Sequence, residues 1–530
     1  MTISNTIIFF IGLFIISKYP MQMLQQNRYN DNGGNRYIKW MLSNKKQITI
    51  NIGLLYVVTI FLSFINLFLA QLSFILITIC IISYILNNKS VDKLPLKYTN
   101  RVKRIFAAEY IFNLIMILII YLNFENFGKY ILIYTSIQFY LRYFLIMVPN
   151  FMNRPIEKII ALNYKRNALK KLNSLTNLEV IGITGSYGKT SSKNILNDIL
   201  NVKYNSIATP LNYNTPYGLI ITINNYLNKF TDYFVAEMGA YSVGEIDELC
   251  KMVKPKYGIL TNIGIAHLES FKSIENIQKT KFELIESLPE DGLGILNKDD
   301  QYQTSYKLKN NVKINYISIN DKKADVFGTN IQISKSGSTF DVYFKNDKNP
   351  YKFETKLLGK ANIYNILAAI ALGKHLGIEI HKLQSAVRNV KQIEHRLEIK
   401  KYFDMYLIDD AYNSNPSGAK MALETIALMP GTRVVITPGM IELGEEDEEK
   451  HYEFGRQMAS SVDYAILIGK NKTKDIYRGL LSENFKEENI YVYNDVLEGF
   501  DLLKKLKDKD KDLYALIEND LPDSFKERKN

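Results

Sequence analysis

Two hydrophobic textures divide this chain. Apolar positions run together at about 2–17, 48–69, 71–87, 106–122 and 129–149, each stretch near the roughly 20 residues that carry a helix across a hydrocarbon core. From Asn177 onward, short β-branched runs alternate with longer stretches of helical period, the pattern of an α/β region built on a parallel sheet. The first texture predicts a bundle of five transmembrane helices over 1–150. The second predicts two further α/β domains, 178–394 and 395–530, reached through a basic linker at 151–177. The first apolar run has no basic stretch before it and no small-x-small cleavage site after it, so an uncleaved helix is expected rather than a signal peptide.

Charge sharpens this division. The 530 residues hold 66 Lys+Arg against 54 Asp+Glu, a balance of +12 that by itself suggests nucleic acid. Residues 1–171 hold 20 basic and 5 acidic residues, and the other 359 hold 46 and 49. The excess therefore belongs to the apolar third, and a membrane explains it better; no nucleic-acid partner is expected. Lys18, Arg28, Arg36, Lys39, Lys45 and Lys46 form one loop cluster, and Lys89, Lys93, Lys97, Arg101, Lys103 and Arg104 another, whereas Ala70-Gln71 and Asn123–Gly128 carry no basic residue. Retention of Lys and Arg on the cytoplasmic side puts the N-terminus outside and everything after about 150 in the cytoplasm. There Arg154, Lys158, Lys165, Arg166, Lys170 and Lys171 form a third cluster, which could also contact anionic or pyrophosphate lipid headgroups. Glu109, near a span end, reads as interfacial. Cys80 and Cys250 support neither a disulfide framework nor a Cys-based zinc site.

The first α/β unit carries the chemistry. A run Leu178–Thr184 leads into Gly185-Ser186-Tyr187-Gly188-Lys189-Thr190-Ser191, and a helix is expected from about Ser192 to Leu200. Glycines let backbone N–H groups close around phosphate, Lys189 reaches the β/γ-phosphates, and the Thr190 hydroxyl can ligate Mg²⁺. A strict P-loop wants glycine where Ile183 stands; Gly182 is one position early. Glu237 and His267 each close a β-run, where open α/β sheets gather ligands, and a carboxylate beside an imidazole can hold a second divalent cation. A capping carboxylate and a packed imidazole are the alternatives.

These blocks resemble the Mur ligase family, in particular its D-alanyl-D-alanine-adding (MurF) branch. The likeness lies in the shortened ATP loop, in Thr209-Pro-Leu-Asn212-Tyr-Asn214-Thr215-Pro-Tyr-Gly218, in Glu237-Met-Gly-Ala240 with Gly244-Glu-Ile, and in Thr261-Asn262-Ile-Gly-Ile-Ala-His267-Leu-Glu. It implies a two-Mg²⁺, ATP-dependent ligase, with Lys281 as the lysine that the family carbamylates; Lys279 is the competing register. Asn297 with Asp299-Asp300, and Asn365 in Gly359-Lys-Ala361-Asn362-Ile-Tyr-Asn365, fall where the family contacts adenine, with Ala361 replacing a usual histidine. A hinge is expected around Gln392–Leu397, with Arg396 touching the ATP phosphates. Asp409-Asp410-Ala-Tyr412-Asn413-Ser-Asn415-Pro416-Ser417 closely resembles a family block that holds the incoming amine and the ribose. Gly439, Glu442, Gly444 and His451 resemble another.

The resemblance therefore implies ATP contacts at Gly185, Ser186, Gly188, Lys189, Thr190, Ser191, Asn297, Asn365, Arg396 and Asp410. Metal ligands would be Thr190, Glu237, His267 and Lys281. Substrate residues would be Asn212, Asn214, Tyr412, Asn413, Asn415 and Pro416, and the catalytic set Lys189, Lys281, His267 and Arg396. The implied reaction activates a carboxylate as an acyl phosphate, which an amino acid or dipeptide then attacks to extend a cell-wall peptide precursor. Two features depart from the family. Leu513-Tyr-Ala-Leu-Ile-Glu518-Asn-Asp-Leu-Pro-Asp523 stands where a Lys-Gly-Ser-Arg-Gly-like segment is usual, and apolar helices stand where the family grips UDP. An acceptor that is lipid-linked, or anchored by another surface, is therefore expected rather than a free UDP-precursor. Ligation in another surface polymer, such as pseudomurein or poly-γ-glutamate, and a membrane P-loop ATPase are the alternatives.

Overall fold

The structure, a computed structural model, describes residues 2–30, 35–44, 53–87, 95–264, 268–412, 414–441, 443, 446–507 and 511–519. His267, Asn413, Glu442 and Gly444 lie outside the described residues, as do Lys45, Lys46, Lys89 and Lys93. Two compact units divide the chain, Met1–Asn163 and Tyr164–Asn530.

Among its described residues the first unit holds helices and no strand. Among the described residues three helices are long and apolar enough to cross a membrane: Ile3–Gln26, Leu67–Asn87 and Asn100–Asn123. A fourth candidate is broken, because Phe127–Tyr140 and the helix from Arg142 diverge by 83°. The second expected span appears as the shorter helix Gly53–Ile65. Among the described residues the helices able to cross a membrane therefore number three, or four if the bent pair is one span, against the five apolar stretches of the sequence.

Local chemistry explains where these helices stop. The turn after the second apolar stretch falls at Asn66 rather than at Ala70-Gln71, because Asn66 Oδ1 accepts from the N–H groups of Phe68 and Leu69 at 3.0 and 3.2 Å. That is the capping an exposed helix start requires. At the break after Tyr140, the freed Tyr143 carbonyl accepts from the Tyr37 hydroxyl at 2.7 Å. Arg142 turns inward there and pairs with Glu109, both almost fully buried. Glu109 is therefore not interfacial; a carboxylate among apolar helices is retained only with a cation beside it. Phe9, Tyr56, Phe74 and Phe139 pack around this core, the last two stacked at 5.8 Å.

The second unit contains two sheets. The larger orders its strands β2-β3-β1-β4-β5-β6-β7-β8-β9. These are β1 Glu179–Thr184, β2 Ser206–Ala208, β3 Tyr233–Glu237, β4 Tyr257–Leu260, β5 Leu293–Asn297, β6 Lys313–Ser318, β7 Val326–Ser334, β8 Gly337–Phe344 and β9 Tyr351–Thr355. Pairing is parallel through β7 and antiparallel beyond. β1 alternates its side chains: Ile181 and Ile183 join the core with helices Lys189–Leu200 and Lys360–His375, while Val180 joins the core with Pro216–Asn225, Glu245–Val253 and Ile274–Glu286. Strand direction around β1 leaves a crevice at the carboxyl ends of β1, β3 and β4, the usual ligand position in such sheets.

The smaller sheet runs β10-β11-β15-β12-β13-β14, with β10 Glu398–Tyr402, β11 Met405–Asp410, β12 Thr432–Thr437, β13 Tyr464–Ile468, β14 Ile490–Tyr493 and β15 Leu513–Glu518. Only the edge strand β10 is antiparallel. Helix Lys189–Leu200 begins earlier than its pattern suggests, at Lys189 rather than Ser192, and helix Lys360–His375 likewise follows directly on a glycine. Gly188 and Gly359, both at positive φ, end the preceding loops and let the helices start at once.

Candidate active site

The loop from β1 into helix Lys189–Leu200 is fixed by the end of β4. Thr261 Oγ1 donates to the Tyr187 carbonyl at 2.5 Å, and Asn262 Oδ1 accepts from the Tyr187 N–H at 2.8 Å. Ser186 Oγ donates to the Gly264 carbonyl at 2.9 Å. Gly185, at φ 155°, could not carry a side chain: a Cβ there would stand 1.9 Å from Thr261 Oγ1. Gly182 has a different duty. It lies within β1, where a Cβ would meet Leu284 at 2.5 Å, so it serves the packing of helix Ile274–Glu286 and not the loop.

Lys189 is folded back on its own loop, donating to the Gly185 and Ser186 carbonyls at 2.7 and 3.1 Å. Burial lowers its pKa to about 8, against a raising effect of Glu237; nearby Arg396 lowers it further. These two carbonyls hold the ammonium where phosphate oxygens would compete for it.

Glu237, the last residue of β3, is 1% exposed. Its Oε1 accepts from Thr190 Oγ1 at 3.3 Å and from Asn214 Nδ2 at 3.0 Å. Its Oε2 has no hydrogen-bond partner but stands 3.0 Å from the Lys193 ammonium. Lys193 is fully buried and also donates to the Leu211 carbonyl at 2.5 Å. Sequence reasoning missed Lys193; its signal was a lysine exactly one helical turn after Lys189, which places both on one face.

Lys281 is buried beside the same loop, with Phe271, Tyr241, Asn214, Lys189 and Ser186 around a small cavity. Its ammonium sits 5.7 Å from the Phe271 ring centre. Burial, reinforced by Lys189, lowers its pKa to about 7. Lys279 is exposed, so Lys281 is the one of the two that faces the loop.

A larger cavity of about 570 Å³ joins the two α/β domains, lined among others by Thr190, Asn212, Arg396 and Tyr412. Arg396 stacks on the Tyr412 ring at 4.3 Å. The expected hinge is marked by His395 and Leu397, both at positive φ, conformations that non-glycine residues keep only where the surroundings enforce them. Leu397 N–H donates to Asp410 Oδ1 at 3.2 Å. Burial raises the Asp410 carboxyl to about 6, with Arg396 opposing.

Other expected residues take structural positions. Asn365 lies against Gly188, 3.5 Å from where a Cβ would be. Ser191 is buried within the helix. Asn297 Oδ1 accepts from the Asp299 N–H at 3.0 Å, and Asp300 caps the short helix Gln301–Thr304. Asn415 caps helix Pro416–Ala427 through the Gly418 N–H at 2.8 Å, with Pro416 in the first turn. His451 Nε2 accepts from the Met440 N–H at 2.8 Å and so pins the turn at Gly439. The departing segment after β15 braces two loops: Ser414 Oγ donates to Glu518 Oε1 at 2.5 Å, and Asn519 Nδ2 to the Gly439 carbonyl at 2.6 Å.

The buried Glu237 carboxylate, shared between the Thr190 hydroxyl and the Lys193 ammonium, has the oxygen chemistry that suits a divalent cation. Among the described residues no three His, Cys, Asp or Glu side chains converge on a metal-sized site.

Comparison with known proteins agrees with this geometry. The Mur ligase middle domain matches residues 183–373, and the Mur ligase, glutamate ligase domain matches 395–515. The UDP-N-acetylmuramoyl-tripeptide--D-alanyl-D-alanine ligase of Escherichia coli (strain K12) is 30% identical over 59% of this chain and 69% of its own length. The enzyme of the same name from Bacillus subtilis (strain 168) is 30% identical over 62% and 70%. In fold, the chain resembles the MurF ligase of Thermotoga maritima in complex with ADP, with TM-score 0.59 at 24% identity, over 68% of this chain and 80% of that one.

Proposed function

Because the chain belongs to the Mur ligase family, we propose that it joins a D-alanyl-D-alanine dipeptide to a muramoyl-tripeptide precursor in peptidoglycan synthesis. It is an ATP-dependent ligase. The observation that carries the reading is the convergence of Lys189, Thr190, Glu237 and Lys281 on one glycine loop, with Arg396 across the adjoining cavity.

In this reading the acceptor carboxylate attacks the γ-phosphorus of ATP and ADP leaves. The dipeptide amine then attacks the acyl phosphate, forming the amide and releasing phosphate and a proton. Lys189 exchanges its two loop carbonyls for phosphate oxygens. Arg396 faces the phosphoryl group with a planar, two-donor guanidinium. Asn212 and Tyr412 line the cavity from which acceptor and amine approach, and closure of the two α/β domains keeps water from the acyl phosphate. Bound Mg²⁺ would supply further charge neutralisation at the transferring phosphoryl group, held by Thr190, Glu237, His267 and a carbamylated Lys281.

The apolar helices of the first unit support a membrane location with the ligase on the cytoplasmic side. They also favour a second reading of the acceptor, in which the peptide precursor is lipid-linked. The test is ATP-dependent phosphate release by the purified full chain, with D-alanyl-D-alanine and either UDP-linked or lipid-linked muramoyl-tripeptide, the product being identified by mass. Release that needs both substrates and disappears in Lys189→Ala supports the ligase. Turnover on the UDP form alone sinks the lipid-linked reading, and hydrolysis indifferent to both substrates sinks the ligase reading itself.

A further inference from the structure

We infer that residues 151–163 form an interfacial helix whose apolar face lies in the headgroup region of an anionic bilayer. The inference rests on the membrane location proposed above and adds a second, in-plane mode of contact to it.

Three observations carry it. The first is direction: the helix from Arg142 departs at 83° from Phe127–Tyr140. If Phe127–Tyr140 runs along the bilayer normal, its continuation runs along the surface.

The second is patterning. At 100° per residue, Phe151, Met152, Pro155, Ile156, Ile159, Ile160 and Leu162 occupy one half of the helix, with Asn163 the one polar residue among them, and Asn153, Arg154, Glu157, Lys158 and Ala161 occupy the other. The apolar half is bare, with Phe151 66% and Ile159 59% exposed. A contiguous row of large apolar side chains left in water is unusual for a protein surface and marks a contact face.

The third is depth. The opposite half is fastened to the first turn of helix Asn100–Asn123: Arg104 donates to both carboxylate oxygens of Glu157 at 2.8 and 3.0 Å, and Asn153 Nδ2 reaches the Arg104 carbonyl at 3.4 Å. Arg104 lies at the basic end of a membrane-spanning candidate, which is headgroup level. The fastening therefore holds 151–163 at the height where an amphipathic helix inserts its apolar face about 5–10 Å. With Glu157 paired to Arg104, Lys158 gives the polar half a positive charge, and anionic lipid is its complement. A second copy or a protein partner would cover the apolar face equally well, but would not explain the cation at its border or its height.

The full chain in nanodiscs of mixed zwitterionic and anionic lipid tests this by tryptophan fluorescence. Trp40→Phe removes the only native tryptophan, and Ile159→Trp, Ala161→Trp or Leu118→Trp then supplies a single probe. The expected result is that lipid brominated near the headgroup quenches the probe at 159 at least about twofold more than the probe at 161, while aqueous acrylamide shows the reverse order. Equal acrylamide quenching at 159 and 161 places the face in water and overturns the inference. Protection of 159 from both quenchers means that protein covers it, and also overturns the inference. Leu118, exposed on helix Asn100–Asn123, reports on the premise: no quenching there by lipid brominated at mid-chain refutes the membrane location itself, whatever the result at 159.

Discussion

Replacing Lys193 by Met tests the electrostatics of the site more directly than any change in the loop. Lys193 and Glu237 are 0% and 1% exposed and 3.0 Å apart. Met keeps most of the volume and removes the ammonium, leaving Glu237 buried without its counter-charge. Breaking a buried pair from one side costs about 3–5 kcal/mol. At about 2–4 °C per kcal/mol for a domain of this size, the melting temperature should fall by roughly 6–20 °C. Two further measurements separate lost charge from lost packing. The double variant Lys193→Met/Glu237→Gln should recover much of the loss, because no uncompensated charge remains. Mg²⁺ should raise the melting temperature of Lys193→Met more than that of the parent, since a cation at 100 times its Kd contributes about 2.7 kcal/mol and Glu237 no longer shares itself with lysine. Thermal unfolding of the nucleotide-free chain, with and without Mg²⁺, is the assay. A Lys193→Met protein that melts within 2 °C of the parent, by the same conversion, and gains no more from Mg²⁺ would refute the counter-charge role.

Gly185→Ala should abolish ATP binding measured by calorimetry while leaving the first unit folded by circular dichroism, because its Cβ would collide with Thr261 Oγ1. Arg396→Lys, which keeps the charge but loses the planar fork and the stacking on Tyr412, should lower kcat by about tenfold or more with little change in stability; unchanged kcat would remove Arg396 from the phosphoryl path. Lys281 titrates near 7 in the folded chain against 10.5 ordinarily. The folded state thus binds fewer protons than the unfolded state between those values, so stability should rise with pH across that window. The neutral amine is also the form that takes up CO₂. Bicarbonate should therefore stimulate turnover more at pH 8 than at pH 6, and ¹³C-bicarbonate should give a carbamate resonance that Lys281→Arg lacks. Asn66→Ala should loosen the turn before Leu67–Asn87 by about 1 kcal/mol, seen as faster amide exchange at Phe68 and Leu69.

Much of the site was legible because its chemistry is local. A glycine loop between a strand and a helix needs only consecutive residues, and Gly185, Gly188, Lys189 and Thr190 stand where that pattern puts them. Glu237 was legible as the end of a β-run. What escaped were contacts between segments far apart in sequence. Thr261 and Asn262 brace the phosphate loop from 74 and 75 residues away, and Glu518-Asn519 brace the loop at Ser414 from more than 100. Gly182 read as a displaced loop glycine because a sequence cannot show that Leu284 lies over it.

The apolar third shows the same boundary. Hydrophobic run length alone determined that this part is helical and apolar enough for a bilayer, and loop charge alone determined which of its ends are basic. Only the tertiary structure decided that the last apolar run breaks by 83°, that Glu109 turns inward to meet Arg142, and that Lys281 rather than Lys279 faces the nucleotide loop. The physical reason is common to all three. Run length and charge are sums over neighbouring residues, whereas the direction of a helix and the partner of a buried charge depend on what another part of the chain brings to the same place.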